Sequence, residues 1–183
     1  MKIFFVDSAK YNVDSDVLKS FLKDRKFSST EKEKQHCYGR FLLNKVAKEI
    51  YNIENTELEI INKKPRFKHS DMNFSISHSE NIILIAFDSN PVGIDIEIMK
   101  ERNFKELFAR YNYKGANISK ELFYRFWTEY EAGIKLQGTP KTKTNFPLLE
   151  TFMVTAAGNF EENFEIFELT ESGFTLFDSR TIA

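Results

Sequence analysis

Asp95 and Glu97 stand two residues apart in the run Val92-Gly93-Ile94-Asp95-Ile96-Glu97. In a strand that spacing sends both carboxylates to one side and Ile94 and Ile96 to the other. Two acids held close repel one another unless a proton or cation intervenes, and an oxygen-rich site of this kind suits magnesium. A strand face whose acids are merely solvated has the same pattern, so spacing alone leaves both readings open. Further on, Glu131 and Lys135 lie four residues apart in Trp127-Thr128-Glu129-Tyr130-Glu131-Ala132-Gly133-Ile134-Lys135, hence on one helical face. That is either an ordinary surface ion pair or an acid and a base set side by side. Gly133 between them costs a helix interior about 1 kcal/mol relative to alanine, which the close approach of a backbone or ligand would justify. A third cluster, Ser75-Ile76-Ser77-His78-Ser79, sets a hydroxyl on each side of an imidazole, suited to phosphate oxygens or to capping a turn. No Gly-x-Ser-x-Gly elbow or His-Glu-x-x-His helix is present, and seven glycines include no phosphate-cradling loop.

Positioning these groups falls to a chain of 183 residues, enough for one ordinary domain or two small packed lobes. Lys and Arg number 26 against 27 Asp and Glu, a net charge of −1, so neither nucleic acid nor membrane is expected as a partner. Cys37 is the only cysteine, which rules out an intramolecular disulfide and argues against a cysteine-based zinc site. No apolar stretch approaches the roughly 18 residues of a membrane span, and the first residues are too short an apolar run for a signal segment. A cytoplasmic monomer is expected.

Lys2 to Val6 reads as a strand, and Asp14 or Ser15 caps a short helix carrying Val17, Leu18, Phe21 and Leu22. Thr30 with Glu33 has capping-box spacing and opens a longer helix through Cys37, Phe41, Leu42, Val46 and Ile50. Leu58 to Ile61 reads as a strand, followed by a turn at Lys63-Lys64-Pro65 that would leave Lys64 exposed. Phe74 to Ser77, Ile82 to Phe87 and Val92 to Ile98 read as strands, and a helix runs from Ser119 to a stop at Gly138 and Pro140. Phe146 to Val154 and Phe164 to Phe177 are strand-like, with Glu171-Ser172-Gly173 as a hairpin turn. Helices followed by strands, twice over, predict an α+β chain of two related lobes rather than two independent domains.

These pieces, in this order, resemble the 4′-phosphopantetheinyl transferase superfamily of the surfactin-synthetase-activating type. The resemblance rests on Phe74 to Ser79, on Phe87-Asp88-Ser89-Asn90-Pro91-Val92-Gly93-Ile94-Asp95-Ile96-Glu97, and on Trp127-Thr128 through Glu131-Ala132 to Lys135 and Gly138. It implies two pseudo-symmetric α/β lobes, here residues 1–90 with the nucleotide contacts and 91–183 with the metal site and catalytic helix. It implies magnesium, or manganese in its place, on Asp95, Glu97 and Glu131, with coenzyme A as substrate and an apo acyl or peptidyl carrier protein as partner. It implies that Lys135 contacts the coenzyme A phosphates and protonates the departing oxygen, that His78 beside Ser77 meets the 3′-phosphate, and that Lys64 and Arg40 are further nucleotide contacts. Lys23 or Lys26 would match the upstream basic residues. Asp95, Glu131 and Lys135 are then the catalytic set, with Glu131 acting as base through a metal-bound water. The chain departs from the family pattern in having Lys63 for a glycine, Tyr130 for a lysine, and no acid in Arg110-Tyr111-Asn112-Tyr113-Lys114. A member that binds coenzyme A without transferring the arm is the alternative.

Overall fold

Strand β1 (Lys2–Asp7) is buried along nearly its whole length, and Asp14 then caps α1 (Ser15–Lys19) by accepting from the backbone N–H groups of Asp16 and Val17. A computed structural model describes residues 1–22, 25–111, 118–160 and 163–181. Lys23 and residues 112–114 of the Arg110–Lys114 stretch lie outside them. Helix α2 (Thr30–Tyr51) is capped one residue earlier than Thr30. Ser29 is the extended residue, and its hydroxyl accepts from the Lys32 N–H, so Thr30 is the first helical residue.

The strands that follow are β2 (Leu58–Ile61), β3 (Lys64–Phe67), β4 (Asn73–Ser79), β5 (Ile82–Asp88) and β6 (Val92–Ile98). Then come α3 (Phe104–Arg110), α4 (Lys120–Leu136), β7 (Thr142–Leu148), β8 (Phe152–Gly158), β9 (Asn163–Thr170) and β10 (Gly173–Thr181). Two local expectations change. Asn62 and Lys63 take φ of 50° and 66°, the left-handed pair of a two-residue hairpin turn, so Lys64 begins a strand instead of standing in the turn. Leu149 and Glu150 are left-handed too, with φ of 50° and 59°, in the three-residue loop before Phe152, splitting the single segment expected from Phe146 to Val154 into β7 and β8.

Three sheets result, in the orders β10-β9-β1-β5-β4, β2-β3 and β6-β8-β7. All pairings are antiparallel except β1 with β9, which run parallel. The two larger sheets face one another across a core of Ile3, Phe5, Leu84, Ile94, Ile96, Val154 and Ala156 among others. On the far face of the five-stranded sheet, Phe4, Ile83, Ile85 and Phe87 meet Leu42, Leu43 and Val46 of α2. On the far face of the three-stranded sheet, Ala157 meets Ala132 and Leu136 of α4. The order of layers is therefore helix, sheet, sheet, helix, a mixed α+β arrangement, and no helix among the described residues is long and apolar enough to cross a membrane.

Candidate active site

The edge strand of the five-stranded sheet, β4, runs beside the edge strand of the three-stranded one, β6, without a backbone ladder between them. Serine hydroxyls take its place. Ser75, Ser77 and Ser79 Oγ accept from the N–H groups of Ile94, Ile96 and Ile98 at 3.1, 3.3 and 3.0 Å. The period of two in Ser-x-Ser-x-Ser matches the pleat, so one face of β4 satisfies every second donor of β6. All three serines are buried.

The same hydroxyls orient the two carboxylates. Ser77 Oγ donates to Asp95 Oδ1 at 2.8 Å, and Ser79 Oγ donates to Glu97 Oε2 at 3.2 Å. Helix α4 supplies the remaining partners: Lys135 Nζ donates to Asp95 Oδ1 at 2.7 Å and to Ser77 Oγ at 2.8 Å, and Trp127 Nε1 donates to Glu97 Oε1 at 3.3 Å. Asp95 is 5% exposed, so its ion pair with Lys135 is largely shielded from solvent. Burial and the neighbouring Asp95 push the Glu97 carboxyl above the usual range.

Helix α4 comes this near because Gly93 has no side chain. A Cβ there would lie 2.0 Å from the Ala132 carbonyl oxygen and 2.7 Å from Leu136 N. Gly133, which drew attention in the sequence, meets nothing within 4 Å. The close approach belongs to Gly93.

Glu131 is half-buried on α4, one turn from Trp127 and one from Lys135 on the same stripe. It makes no hydrogen bond or ion pair with the described residues. Among those residues no three His, Cys, Asp or Glu side chains gather closely enough to hold a metal, so the structure assembles two of the expected carboxylates and not the third. Lys135, a turn further along, takes Asp95 Oδ1 instead. A divalent cation nonetheless fits the donors in one respect: Asp95 Oδ2 is buried without a hydrogen-bond partner, beside a Glu97 whose charge is disfavoured. A cation would answer both.

His78 points away from its serine neighbours, pairing with Ile83 on the α2 side of the sheet. Its ring is held below the ordinary imidazole pKa by desolvation and by the Lys135 ammonium. Lys64 is buried, contrary to the exposed turn position expected, as the first residue of β3. Its Nζ donates to the Val92 carbonyl at 2.8 Å, and burial with Arg66 nearby lowers its pKa to about 8. Arg40 lines a separate recess of about 550 Å³ with Ser20, Phe21, Asn44 and residues 54–57. Burial and Arg25 hold its pKa below the ordinary guanidinium value. The roles of Ser79 and Trp127 in holding Glu97 were not read from sequence, although the serine periodicity could have given the first.

No protein-family model matches the chain. Individual proteins do. The 4′-phosphopantetheinyl transferases Sfp of Bacillus subtilis (strain 168) and ffp of Bacillus subtilis are each 28% identical over 158 residues, covering 75% of this chain and 70% of their own length. The 4′-phosphopantetheinyl transferase gsp of Aneurinibacillus migulanus is 30% identical over 136 residues, 61% of this chain and 57% of its own.

Proposed function

We propose that this chain, a relative of the 4′-phosphopantetheinyl transferases, moves the 4′-phosphopantetheine arm of coenzyme A onto a serine of an apo acyl or peptidyl carrier protein. The observation that supports this best is the convergence on Asp95 of a hydroxyl from β4 and an ammonium from α4, with Glu97 alongside. It is a compact charged centre where the edges of β4 and β6 meet α4, in a chain whose relatives are named for this activity.

In the reaction the carrier serine Oγ forms a bond to the β-phosphorus of coenzyme A, the bond from that phosphorus to the bridging oxygen breaks, and 3′,5′-ADP leaves. Lys135 is the group to meet the leaving oxygen, exchanging its hydrogen bond to Asp95 for one to the phosphate and supplying a proton. Glu131, with no hydrogen-bond or ion-pair partner among the described residues, is the candidate to accept the serine proton. Ser77 and Ser79 keep the two acids from rotating. Magnesium or manganese, when bound, would sit on Asp95 and Glu97 with Glu131 as the third donor, and would neutralise pyrophosphate charge. Lys64, His78 and Arg40 are proposed nucleotide contacts, Lys64 after leaving the Val92 carbonyl. On this reading the two related halves meet near residue 90, with β9 and β10 of the second half crossing over to complete the sheet under α2. A monomer working in the cytoplasm is part of the same proposal.

The test is intact-mass analysis of several apo carrier proteins after incubation with the protein, coenzyme A and magnesium. Gain of one phosphopantetheine arm is the expected result; coenzyme A binding with no carrier modified would leave a binding protein. Lys135→Met should slow single-turnover transfer roughly 10²-fold, the scale of one lost preorganised contact, and a rate within about threefold of wild type would remove Lys135 from the chemistry.

A further inference from the structure

Beneath α4, on one face of the three-stranded sheet, runs a row of polar side chains of which the proposed reaction uses only Asp95. Asp95, Thr155 and Asn145 are register partners across β6, β8 and β7. Their strand neighbours Ile94, Ile96, Val154, Ala156 and Phe146 belong to the core between the sheets, so this row faces the helix. Thr155 and Thr128 of α4 are both fully buried, with their hydroxyl oxygens 2.6 Å apart. Thr155 Oγ1 donates to Asn145 Oδ1 at 2.5 Å, and Asn145 Nδ2 donates to Glu129 Oε1 of α4 at 2.7 Å.

Counting protons gives the chain a direction. Each threonine has one hydroxyl proton. Thr155 spends its own on Asn145, so the Thr128–Thr155 contact needs the proton of Thr128. Every group is then satisfied in a single sense, Thr128 to Thr155 to Asn145 to the Glu129 carboxylate, and a charged acceptor at the end strengthens the bonds behind it. Thr128 also lies 2.8 Å from the Tyr124 carbonyl, its alternative acceptor, and that carbonyl is one the helix already uses.

Helix α4 needs such a fastening where the site is. Its N-terminal half is wedged by Phe123 and Tyr124 against Phe108 and Met153. Its C-terminal half meets the sheet through Ala132, Leu136, Ala157 and the bare backbone of Gly93. Small residues permit close approach but give no knobs to resist rolling. A small roll about the helix axis would carry Lys135 off Asp95 and Trp127 off Glu97.

Resting on the transferase reading for its rate measurements, we propose that Thr128, Thr155 and Asn145 are positioning residues that fix the roll of α4, and so set Lys135 on Asp95 and Trp127 on Glu97. They act through the helix and touch no reacting atom.

Thr155→Val keeps the shape and deletes the relay; Thr155→Ser keeps the hydroxyl. Asn145→Ala is a second, less buried break in case the valine variant folds poorly. In single-turnover transfer to an apo carrier, Thr155→Val and Asn145→Ala should each lose roughly tenfold or more in rate, with coenzyme A affinity by calorimetry within about twofold. Thr155→Ser should run within about threefold of wild type. Trp127, the only tryptophan, gives a readout that needs no activity: iodide quenching should rise in both relay-breaking variants and not in Thr155→Ser. Wild-type rate and wild-type quenching in either folded, relay-breaking variant would overturn the inference, as would rate and affinity falling together. If the wild-type protein modifies no carrier, the transferase reading fails instead, and the quenching comparison decides the positioning role by itself.

Discussion

Helices α2 and α4 cover opposite outer faces of the same pair of sheets, yet they are attached by different means. Tyr38, Leu42, Leu43 and Val46 of α2 press large side chains onto Phe4, Phe74, Ile83, Ile85 and Phe87, and aromatic pairs such as Phe4 with Phe87 and Tyr51 with Phe87 fill the gaps. Beyond the aromatic wedge at its N-terminal end, the α4 interface is thin by comparison: two alanines, a leucine, a glycine, and polar side chains joined in defined directions. Volume stabilises the first face and tolerates small slips, because a buried leucine makes many weak, non-directional contacts. Directional bonds hold the second, where side chains must meet at hydrogen-bond distance. One face is a scaffold and the other is a mount for chemistry.

Glycine substitutions test that contrast most severely. Gly93→Ala puts a methyl group 2.0 Å from the Ala132 carbonyl, so α4 must lift and transfer should fall below about 1% of wild type, with a lower melting temperature. Gly39→Ala, on α2, would meet only Ile76 Cγ2 at 3.6 Å, an ordinary contact, and should leave the rate unchanged while gaining up to about 1 kcal/mol in helix propensity. Equal damage from both would dissolve the distinction. Asp95→Ala comes next: it should abolish transfer and, because it strips Lys135 of its carboxylate, it should also lower the melting temperature. The double variant Asp95→Ala with Lys135→Met should melt higher than the single one if the pair is what the loss exposes. Leu42→Ala should do the reverse on the scaffold face, costing about 2–5 kcal/mol in denaturant unfolding with a near-normal rate at temperatures where the protein stays folded.

The smallest effect concerns Lys64. Its folded pKa, about 8, is below the 10.5 of an unperturbed lysine, so between those values the unfolded chain binds more protons than the folded one. Stability therefore rises as pH goes from about 8 toward 10.5, and the full penalty for the buried charge is present below 8. Lys64→Met should flatten that slope and raise the melting temperature near neutral pH by a few degrees, at roughly 2–4 °C per kcal/mol. A slope that persists in the variant would assign it to another group.

The elements were largely legible in the sequence because each is announced locally. Helical spacing after Ser119, the alternation of Val92 to Ile98, and the turn at residues 171–173 all use signals within a few positions. The pairing of Asp95 with Glu97 on one face was legible for the same reason. Helix α3 was missed although its cap, Asn103, is local; the other misses depend on conformations of single residues or on partners far along the chain. Whether Lys64 is exposed or buried turns on the left-handed φ of Asn62 and Lys63, which make those two residues the turn and pair Lys64 with Ile61 in the strand. The split at Leu149 and Glu150 was invisible because leucine and glutamate are poor advertisements for a hairpin turn. The grip of Lys135 on Asp95, in place of a third carboxylate, spans 40 residues and follows from how closely α4 sits on Gly93, which no local pattern states. The stitching of β6 by three serines could have been guessed from their period, but not its partner strand.

The parallel pairing of β1 with β9 also imposes an order in time. β1 leaves a ribosome long before the strand that lies along its second edge, residues 163–170, is made. Until then Phe4, which stacks on Phe167 and meets Phe174 edge-on, has only part of its aromatic surround. A nascent chain that has already formed the α4 mount still displays an open, apolar strand edge elsewhere, the kind of surface that invites misassociation between chains. Ring closure across some 160 residues is entropically slow, so completion of the five-stranded sheet is the natural last step of folding, and the step most exposed to help from a chaperone.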